Sequence, residues 1–306
     1  MNAPVMSRRV PAIEALADRY SLFLFDQFGV LHDGTRAYPG CSETLAALRA
    51  ADRRIGVITN SGKRAVYNRT RLAGFGFDET LIDIVVSSGE VAWSWLSGSN
   101  DGLASSSLPR SPLPSRSASA RAVEAGAGLR VLVVARGDDR GFVEQLPLVE
   151  SDEAETCELV LIAGCEPEKL TLDDYRERLA PAARREVPAL CTNPDQVMLL
   201  GEGRTGFAAG AVADAYAALG GPVTRIGKPF PAIYAHALAL AGVTPAETLC
   251  IGDSVEHDVA GARAAGCHSL LVRTGIHAGA TDTELERLFV TEGHRPTWIV
   301  DDRKLG

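Results

Sequence analysis

Basic side chains are in the minority in this sequence of 306 residues, which has 31 Lys and Arg against 39 Asp and Glu and a net charge of -8. Proteins that bind nucleic acids generally carry a basic surface. We therefore expect no nucleic-acid partner, and any anionic ligand must be held by locally placed positive groups.

Long apolar runs are also missing. No stretch reaches the roughly 20 apolar residues that span a bilayer. The N-terminal sequence MNAPVMSRRVPAIEAL has no apolar segment of the kind found in secretion signals. We expect a cytoplasmic protein without a membrane partner.

Cysteine motifs are absent too. The six cysteines form no C-x-x-C pair, and most lie in apolar runs such as LCIGD. This pattern indicates reduced, buried thiols and gives no zinc site.

Short apolar runs alternate with helical patterns along most of the chain. Strands are predicted at 22–25, 54–60, 83–87, 129–135, 158–164, 188–192, 223–227, 248–253, 268–272 and near 297–300. Helices are predicted at 42–52 with Ser42 as N-cap, 64–73, near 139–146, near 171–182, 208–221, from Pro229, and near 256–265. This alternation is typical of an α/β fold with a parallel sheet.

One segment, residues 97–128, interrupts the alternation. It is rich in Ser, Ala, Pro and Gly and has no aromatic residue, so it is predicted to be a mobile loop or insertion. The expected layout is a core of residues 1–88 and 223–306 with a second domain, 89–222, inserted into it.

Polar groups follow four predicted strands. They are Asp26, the run Thr59, Asn60 and Ser61, then Lys228, and finally Asp253 with Asp258 five residues further on. Ligands of open α/β sheets bind beyond the carboxyl ends of the strands. If the four strands are neighbours, these groups converge.

The converging groups suit phosphoryl transfer. A carboxylate can act as nucleophile through an acyl phosphate, while an ammonium group and hydroxyl or amide donors bind phosphoryl oxygens. Mg²⁺ prefers one or two carboxylates with water and phosphate, which Asp26 and Asp253 would supply. Each motif alone has a simpler interpretation as a turn or helix cap, but their joint order favours the catalytic one.

A G-x-G-x-x-G match at 201–206 has another explanation. The apolar run before it is short, and no acid follows about 20 residues later to hold a ribose. We reject a dinucleotide site there.

The whole pattern resembles the haloacid dehalogenase-like (HAD) hydrolases, in the class IIA branch of nitrophenylphosphatases and phosphoglycolate phosphatases. The matching motifs are FDQFGVLHDG, VITNSG, IGKPFPAIY and IGDSVEHDVAGARAAG, with CTNPD and the AAGAVADAY helix as branch features. The resemblance implies a Rossmann-like parallel-sheet core and an inserted αβ cap of type C2, which would close over the core and set substrate choice.

The resemblance also implies roles. Asp26 would be the nucleophile; Thr59, Asn60, Ser61 and Lys228 would hold the phosphate; Asp26, Asp253 and the main-chain carbonyl of Phe28 would bind Mg²⁺, supported by Asp258. In the cap, Asn193 and Asp195 either face the substrate or stabilise a turn. The expected partner is a small phosphorylated metabolite, with sugar phosphates among the candidates, and relatives of this kind often form homodimers.

A second acid is missing at position 28. Most HAD phosphatases have Asp two residues after the nucleophile, where it transfers protons to the leaving group and from water; here the residue is Phe28. Three hypotheses follow: a phosphatase in which His32 or Asp33 replaces the acid, a slow phosphotransferase, or a non-catalytic protein that binds phosphate esters.

Overall fold

A computed structural model describes residues 7–97, 128–201 and 204–300 of the chain. The chain divides into two compact units. The first unit comprises Met1–Thr59, Ala65–Val86 and Lys228–Gly306, and the second comprises Asn60–Arg64 and Ser87–Gly227. Nearly all of the predicted loop at 97–128 lies outside the described residues.

The described residues form strands and helices that alternate along the chain. The strands are β1 Arg8–Val10, β2 Leu22–Phe25, β3 Arg54–Thr59, β4 Ile84–Ser87, β5 Leu129–Val134, β6 Leu148–Glu150, β7 Leu159–Ile162, β8 Ala189–Cys191, β9 Val197–Gly201, β10 Arg204–Phe207, β11 Val223–Arg225, β12 Thr248–Gly252, β13 His268–Leu271 and β14 Trp298–Val300. The α-helices are α1 Cys41–Ala50, α2 Ala65–Gly74, α3 Ser88–Ser97, α4 Leu172–Arg184, α5 Ala209–Ala218, α6 Pro231–Ala241, α7 Ala260–Ala264 and α8 Asp282–Glu292. A π-helical turn at Val255–Val259 leads into α7.

The first unit is built on a seven-stranded sheet in the order β1-β14-β13-β12-β2-β3-β4. The pairings of β2 with β12 and with β3 are parallel. All four residues of β2 are fully buried, as expected for the centre of a parallel sheet covered on both faces. The α/β prediction is confirmed, and β2 lies between two strands that are distant from each other in sequence.

The second unit has a five-stranded parallel sheet in the order β11-β8-β7-β5-β6 and a separate antiparallel hairpin of β9 and β10. Helix α4 begins with a capping box between Thr171 and Asp174. The first and last residues of the glycine-rich match at 201–206 lie in strands, since Gly201 ends β9 and Gly206 lies in β10. A dinucleotide motif would instead join a strand to a helix.

Three local predictions were wrong. Residues 141–145 form a turn where a helix was predicted near 139–146. Gln145 has a positive φ of 63°, and Pro147 offers no amide hydrogen. Helix α1 begins at Cys41 after Gly40, so Ser42 is not its N-cap. Helix α6 begins at Pro231, two residues later than predicted.

Several elements were not predicted. They include β1, β6, the β9-β10 hairpin, α3 and α8. For α8 a signal existed, because Thr281 and Glu284 form a capping box, and the T-x-x-E spacing marks such a start.

The six cysteines are buried and free of disulfides. Within the described part of the chain, each helix falls short of the length and apolarity that crossing a bilayer requires.

Candidate active site

The centre of the first unit's sheet brings two of the predicted motifs together. Asp26 directly follows β2, and its backbone N–H donates to the Ile251 carbonyl on β12 at 2.8 Å. Asp253 directly follows β12. Parallel strands present their carboxyl ends at one edge, so motifs more than 200 residues apart meet there.

A buried ammonium group lies between two carboxylates. Lys228 Nζ is 2.6 Å from Asp26 Oδ1 and 2.7 Å from Asp258 Oδ1, and the residue is only 3% exposed. Burial alone would lower the pKa of Lys228, but the Asp258 and Asp26 charges together raise it above its ordinary value. Lys228 therefore stays cationic.

For the carboxylates, burial disfavours the ionised form and raises the pKa. Burial raises the pKa of Asp253 to about 6, and the neighbouring Asp258 charge adds to this. Burial likewise raises the pKa of Asp26, although Lys228 opposes the change. The Ile276 N–H donates to Asp253 Oδ2 at 2.7 Å and favours its ionised form. The site thus holds more negative charge than Lys228 alone compensates.

Three glycines let the backbone approach these carboxylates. A Cβ at Gly29 would lie 2.2 Å from Asp253 Oδ2, one at Gly275 would lie 1.7 Å from the same atom, and one at Gly252 would lie 2.0 Å from Asp258 Cγ. Gly29 also has a positive φ of 87°, which favours glycine. Any other residue at these positions would displace an acidic side chain.

The acidic residues fit a divalent metal. One carboxylate oxygen from each of Asp26, Asp253 and Asp258 lies within 4.8 Å of the others. With Lys228, three ionised carboxylates leave a formal charge of -2, because 3 negative charges and 1 positive charge are present. A hard divalent cation such as Mg²⁺ takes oxygen ligands of this type and would balance that charge.

The predicted phosphate-binding run is divided between the units. Thr59 ends β3 in the first unit, next to β2 in the sheet, whereas Asn60 and Ser61 belong to the second unit. There, Asn60 Nδ2 donates to Asp195 Oδ1 at 2.8 Å. Asn193 Oδ1 accepts from the Asp195 N–H at 3.1 Å. This hydrogen bond of Asn193 is consistent with a role in stabilising a turn.

The loop after Asp26 buries His32 among aromatic rings. His32 is fully buried, its Nδ1 accepts from the Gly34 N–H at 3.0 Å, and its ring centroid lies 4.4 Å from that of Phe75. Burial, with a smaller effect of Arg71, lowers the pKa of His32 to about 4. Burial and the lowered pKa argue against the predicted replacement role of His32, which stays a prediction.

Asp33 does not fit the role either. Its Oδ1 accepts from the Thr35 N–H at 2.8 Å, the Thr35 hydroxyl at 2.6 Å and the Arg36 N–H at 2.9 Å. These bonds, with that of the Thr35 hydroxyl the largest cause, lower the pKa of Asp33 below its ordinary value. An ionised, fully engaged carboxylate is a poor proton donor at neutral pH.

The sequence interpretation missed the loop after β13. Thr274 Oγ1 donates to the Gly29 carbonyl at 2.5 Å, the Gly275 N–H donates to the same carbonyl at 3.0 Å, and the Ile276 N–H holds Asp253. The strand-end rule that identified Asp26 and Asp253 also applies to β13. The sequence gives little signal at that strand end, because the loop has no charged residue beyond Arg273.

Comparisons with known proteins agree with this geometry. Residues 23–145 match the family model for haloacid dehalogenase-like hydrolases, and residues 225–304 match a second HAD-hydrolase-like model. Human chronophin is 27% identical over 88% of this chain and 86% of its own. The phospholysine phosphohistidine inorganic pyrophosphate phosphatase of Xenopus laevis is 46% identical over 50 residues, which are 16% of this chain and 18% of that protein. The chain thus spans less than a fifth of that relative.

Solved structures extend the likeness to the whole fold. A haloacid dehalogenase-like hydrolase from Brucella suis has a TM-score of 0.73 and 26% identity, and the match covers 95% of this chain and 98% of that one. Sheet order, buried acids and lysine therefore define a HAD-type α/β hydrolase. The chain belongs to the haloacid dehalogenase-like hydrolases.

The excess of carboxylates predicts that Asp253→Asn stabilises the metal-free protein. The pKa of Asp253 is about 6 in the folded protein, whereas its ordinary value is 3.8. Ionised Asp253 therefore disfavours the folded state. This cost is complete above about pH 6 and disappears below about pH 3.8. The shift corresponds to at most about 3 kcal/mol, and an asparagine oxygen can still accept from Ile276.

The measurement is thermal unfolding in a chelator between pH 5 and pH 8. The midpoint of Asp253→Asn should exceed that of wild type by an amount that grows with pH and levels off near pH 7. Asp78→Asn is a control at an exposed helix cap outside the site. A lower midpoint for Asp253→Asn than for wild type at pH 7.5 would contradict the charge argument.

Proposed function

We propose that the protein is a Mg²⁺-dependent phosphatase of small phosphomonoesters that acts through an aspartyl phosphate on Asp26. The observation that carries the proposal is the orientation of this carboxylate. Both described contacts of its side chain, from the Gln27 N–H at 2.7 Å and from Lys228 Nζ at 2.6 Å, are made by Oδ1. We assign Oδ2 as the attacking oxygen.

In the first step, Asp26 Oδ2 attacks phosphorus and the bond from phosphorus to the leaving oxygen breaks with its electron pair. Water then attacks the acyl phosphate, the bond between phosphorus and Oδ2 breaks, and phosphate leaves. Lys228 favours the ionised form of Asp26 and orients it, and its fixed charge favours the negative charge that develops on the phosphoryl group.

Binding of the phosphoryl group is assigned to Lys228 with Thr59, Asn60 and Ser61. Asp26, Asp253, Asp258 and the Phe28 carbonyl would hold the Mg²⁺, which supplies charge neutralisation and orientation of phosphate oxygens when bound. The second unit is proposed to act as the type C2 cap that selects the substrate. The proposed partner is a small phosphorylated metabolite, and a homodimer remains an expectation.

Relatives support the substrate class. Besides chronophin, the similar proteins include one named dihydroxyacetone phosphatase, from Corynebacterium glutamicum, and one named glycerol-3-phosphate phosphatase, from human. Both names denote phosphate esters of small molecules. Sugar phosphates are therefore among the substrates to be tested.

The central test is Asp26→Asn, assayed with a panel of phosphate esters and Mg²⁺. Loss of the nucleophile should reduce turnover by at least about 10³-fold, as expected when a covalent route is removed. Asp33→Asn is the matched control, because it removes a carboxylate of the same loop that we place outside the chemistry. Turnover by Asp26→Asn at the wild-type rate would refute the assignment.

A slow phosphotransferase is the second candidate, and Phe28 favours it. The Phe28 side chain cannot transfer a proton. The burial and lowered pKa of His32 and the three hydrogen bonds accepted by Asp33 argue against either residue as its replacement. Hydrolysis of the acyl phosphate would then lag behind its formation. The third candidate, a non-catalytic protein that binds phosphate esters, is less favoured because it would not require a nucleophile paired with Lys228.

Rapid-mixing kinetics separate the first two candidates. With a nitrophenyl phosphate at high enzyme concentration, a slow second step should give a burst of nitrophenol that approaches one equivalent per site, followed by a slower steady rate. The acyl phosphate should be detectable on Asp26 by mass spectrometry of acid-quenched protein. A linear progress curve from the first turnover would show that hydrolysis of the intermediate is not limiting.

A further inference from the structure

We propose that Asp195 is a positioning residue for phosphate binding: its carboxylate holds the side-chain amide of Asn60 and so orients a group that the proposed function assigns to the phosphoryl oxygens. The inference rests on the proposed function and deepens it, because it adds a residue that acts through Asn60. In this role Asp195 neither faces the substrate nor merely stabilises a turn.

The contact between the two side chains is direct. Asn60 Nδ2 donates to Asp195 Oδ1 at 2.8 Å, although the residues are 135 positions apart in the chain. The side-chain amide of asparagine carries two N–H donors on one planar nitrogen, whereas an ionised carboxylate only accepts hydrogen bonds. Asp195 therefore fixes which way the Asn60 amide faces, and the direction of the second N–H follows from that of the first.

The turn that carries Asp195 is held on both sides through its main chain. Asn193 Oδ1 accepts from the Asp195 N–H at 3.1 Å, and the Asp195 carbonyl accepts from the Gly210 N–H at 2.9 Å near the start of α5. A Cβ at Gly210 would lie 2.2 Å from the Pro194 carbonyl oxygen, so this close approach of the helix requires glycine. Because these contacts do not use the Asp195 carboxylate, its removal should leave the turn intact.

The oxygen end of the Asn60 amide is confined as well. A Cβ at Gly227 would lie 2.7 Å from Asn60 Oδ1, 2.6 Å from Ser88 Oγ and 2.7 Å from Pro194 Cδ, so these three side chains surround the glycine. Gly227 has a positive φ of 121°, which favours glycine. All of these residues belong to the second unit, and within it the amide is held at its nitrogen by Asp195 and at its oxygen by packing.

The place of Asn60 in the chain links this network to the proposed chemistry. Asn60 directly follows Thr59, the last residue of β3, and β3 pairs with β2, the strand that ends directly before Asp26. A hydrogen bond weakens steeply when it is misaligned, so an amide at this strand end needs a defined orientation to bind a phosphoryl oxygen. A side chain that is already oriented loses less conformational entropy on binding, and Asp195 supplies that orientation in advance.

A positioning role and a direct substrate contact predict different effects. A residue that orients a phosphate-binding amide acts on the phosphoryl group, which all phosphomonoesters share with inorganic phosphate. A residue that faces the alcohol part of the ester acts on a part that varies between esters and that inorganic phosphate lacks. Inorganic phosphate is therefore the probe that separates the two roles of Asp195.

The test is calorimetric titration of the protein with inorganic phosphate in the presence of Mg²⁺, together with kcat and KM for a panel of phosphomonoesters. Asp195→Ala should weaken phosphate binding and raise the KM of every ester by one common factor of about 10, the order expected for a hydrogen bond to a charged group. Its unfolding midpoint should stay near that of wild type. Asp195→Asn should stay within about 3-fold of wild type, because its side-chain oxygen can still accept from Asn60.

A double-mutant cycle tests whether Asp195 acts through Asn60. In a protein that already carries Asn60→Ala, the further change Asp195→Ala should alter phosphate affinity little, because the group that the carboxylate orients is gone. Asp214→Ala is the matched control. It removes another carboxylate of the second unit, which pairs with Arg225 outside this network, and phosphate affinity should remain that of wild type.

Three outcomes would overturn the inference. Unequal changes in KM among the esters with unchanged phosphate affinity would mean that Asp195 faces the substrate. A lower unfolding midpoint with wild-type phosphate affinity and KM would leave it only a role in the turn. Additive effects of Asp195→Ala and Asn60→Ala on phosphate affinity would mean that the two residues act independently.

Failure of the proposed function would have a different signature. If no ester is hydrolysed in an Asp26-dependent way, the proposed function itself fails. The phosphate titrations do not require turnover, so they still decide whether Asp195 orients Asn60 for binding of a phosphate group.

Discussion

The contact of the Lys228 ammonium with Asp26 and Asp258 is the interaction on which the rest of the site depends. Three carboxylates at the end of a buried sheet would be very costly without a compensating cation. Lys228 makes two of them tolerable, and the charge that remains is the one a divalent metal can balance. The proposed Mg²⁺ would complete the charge balance of the site, and we expect its absence to reduce the stability of the protein.

Close backbone approach is the second constraint. Gly29, Gly252 and Gly275 leave room for Asp253 and Asp258, and the carbonyl of Gly29 ties the loop after β2 to the loop after β13. Because these contacts use the main chain, the side chain at position 28 could become a phenylalanine without disturbing them. In this chain the proposed metal and phosphate sites therefore do not depend on a proton-transferring side chain at position 28.

Strand ends were the best-predicted features, because a buried apolar run followed by a charged residue has few alternatives in a parallel sheet. Segments such as 139–146 were predicted wrongly because an apolar pattern near helical spacing cannot reveal a positive φ at Gln145. His32 and Asp33 show the same limit at the site. Both residue types can transfer protons. In the structure, however, His32 is buried and its Nδ1 accepts from the Gly34 N–H, whereas Asp33 accepts hydrogen bonds from Thr35.

The sequence by itself determined the α/β class, the order of the acidic and lysine motifs, and the absence of an acid at position 28, since these follow from residue types and their spacing. Only the tertiary structure decided that β2 lies between β3 and β12, that Lys228 contacts two carboxylates, and that Phe28 is an exposed ring on a buried histidine. These depend on distances between residues far apart in the chain, which local patterns do not fix.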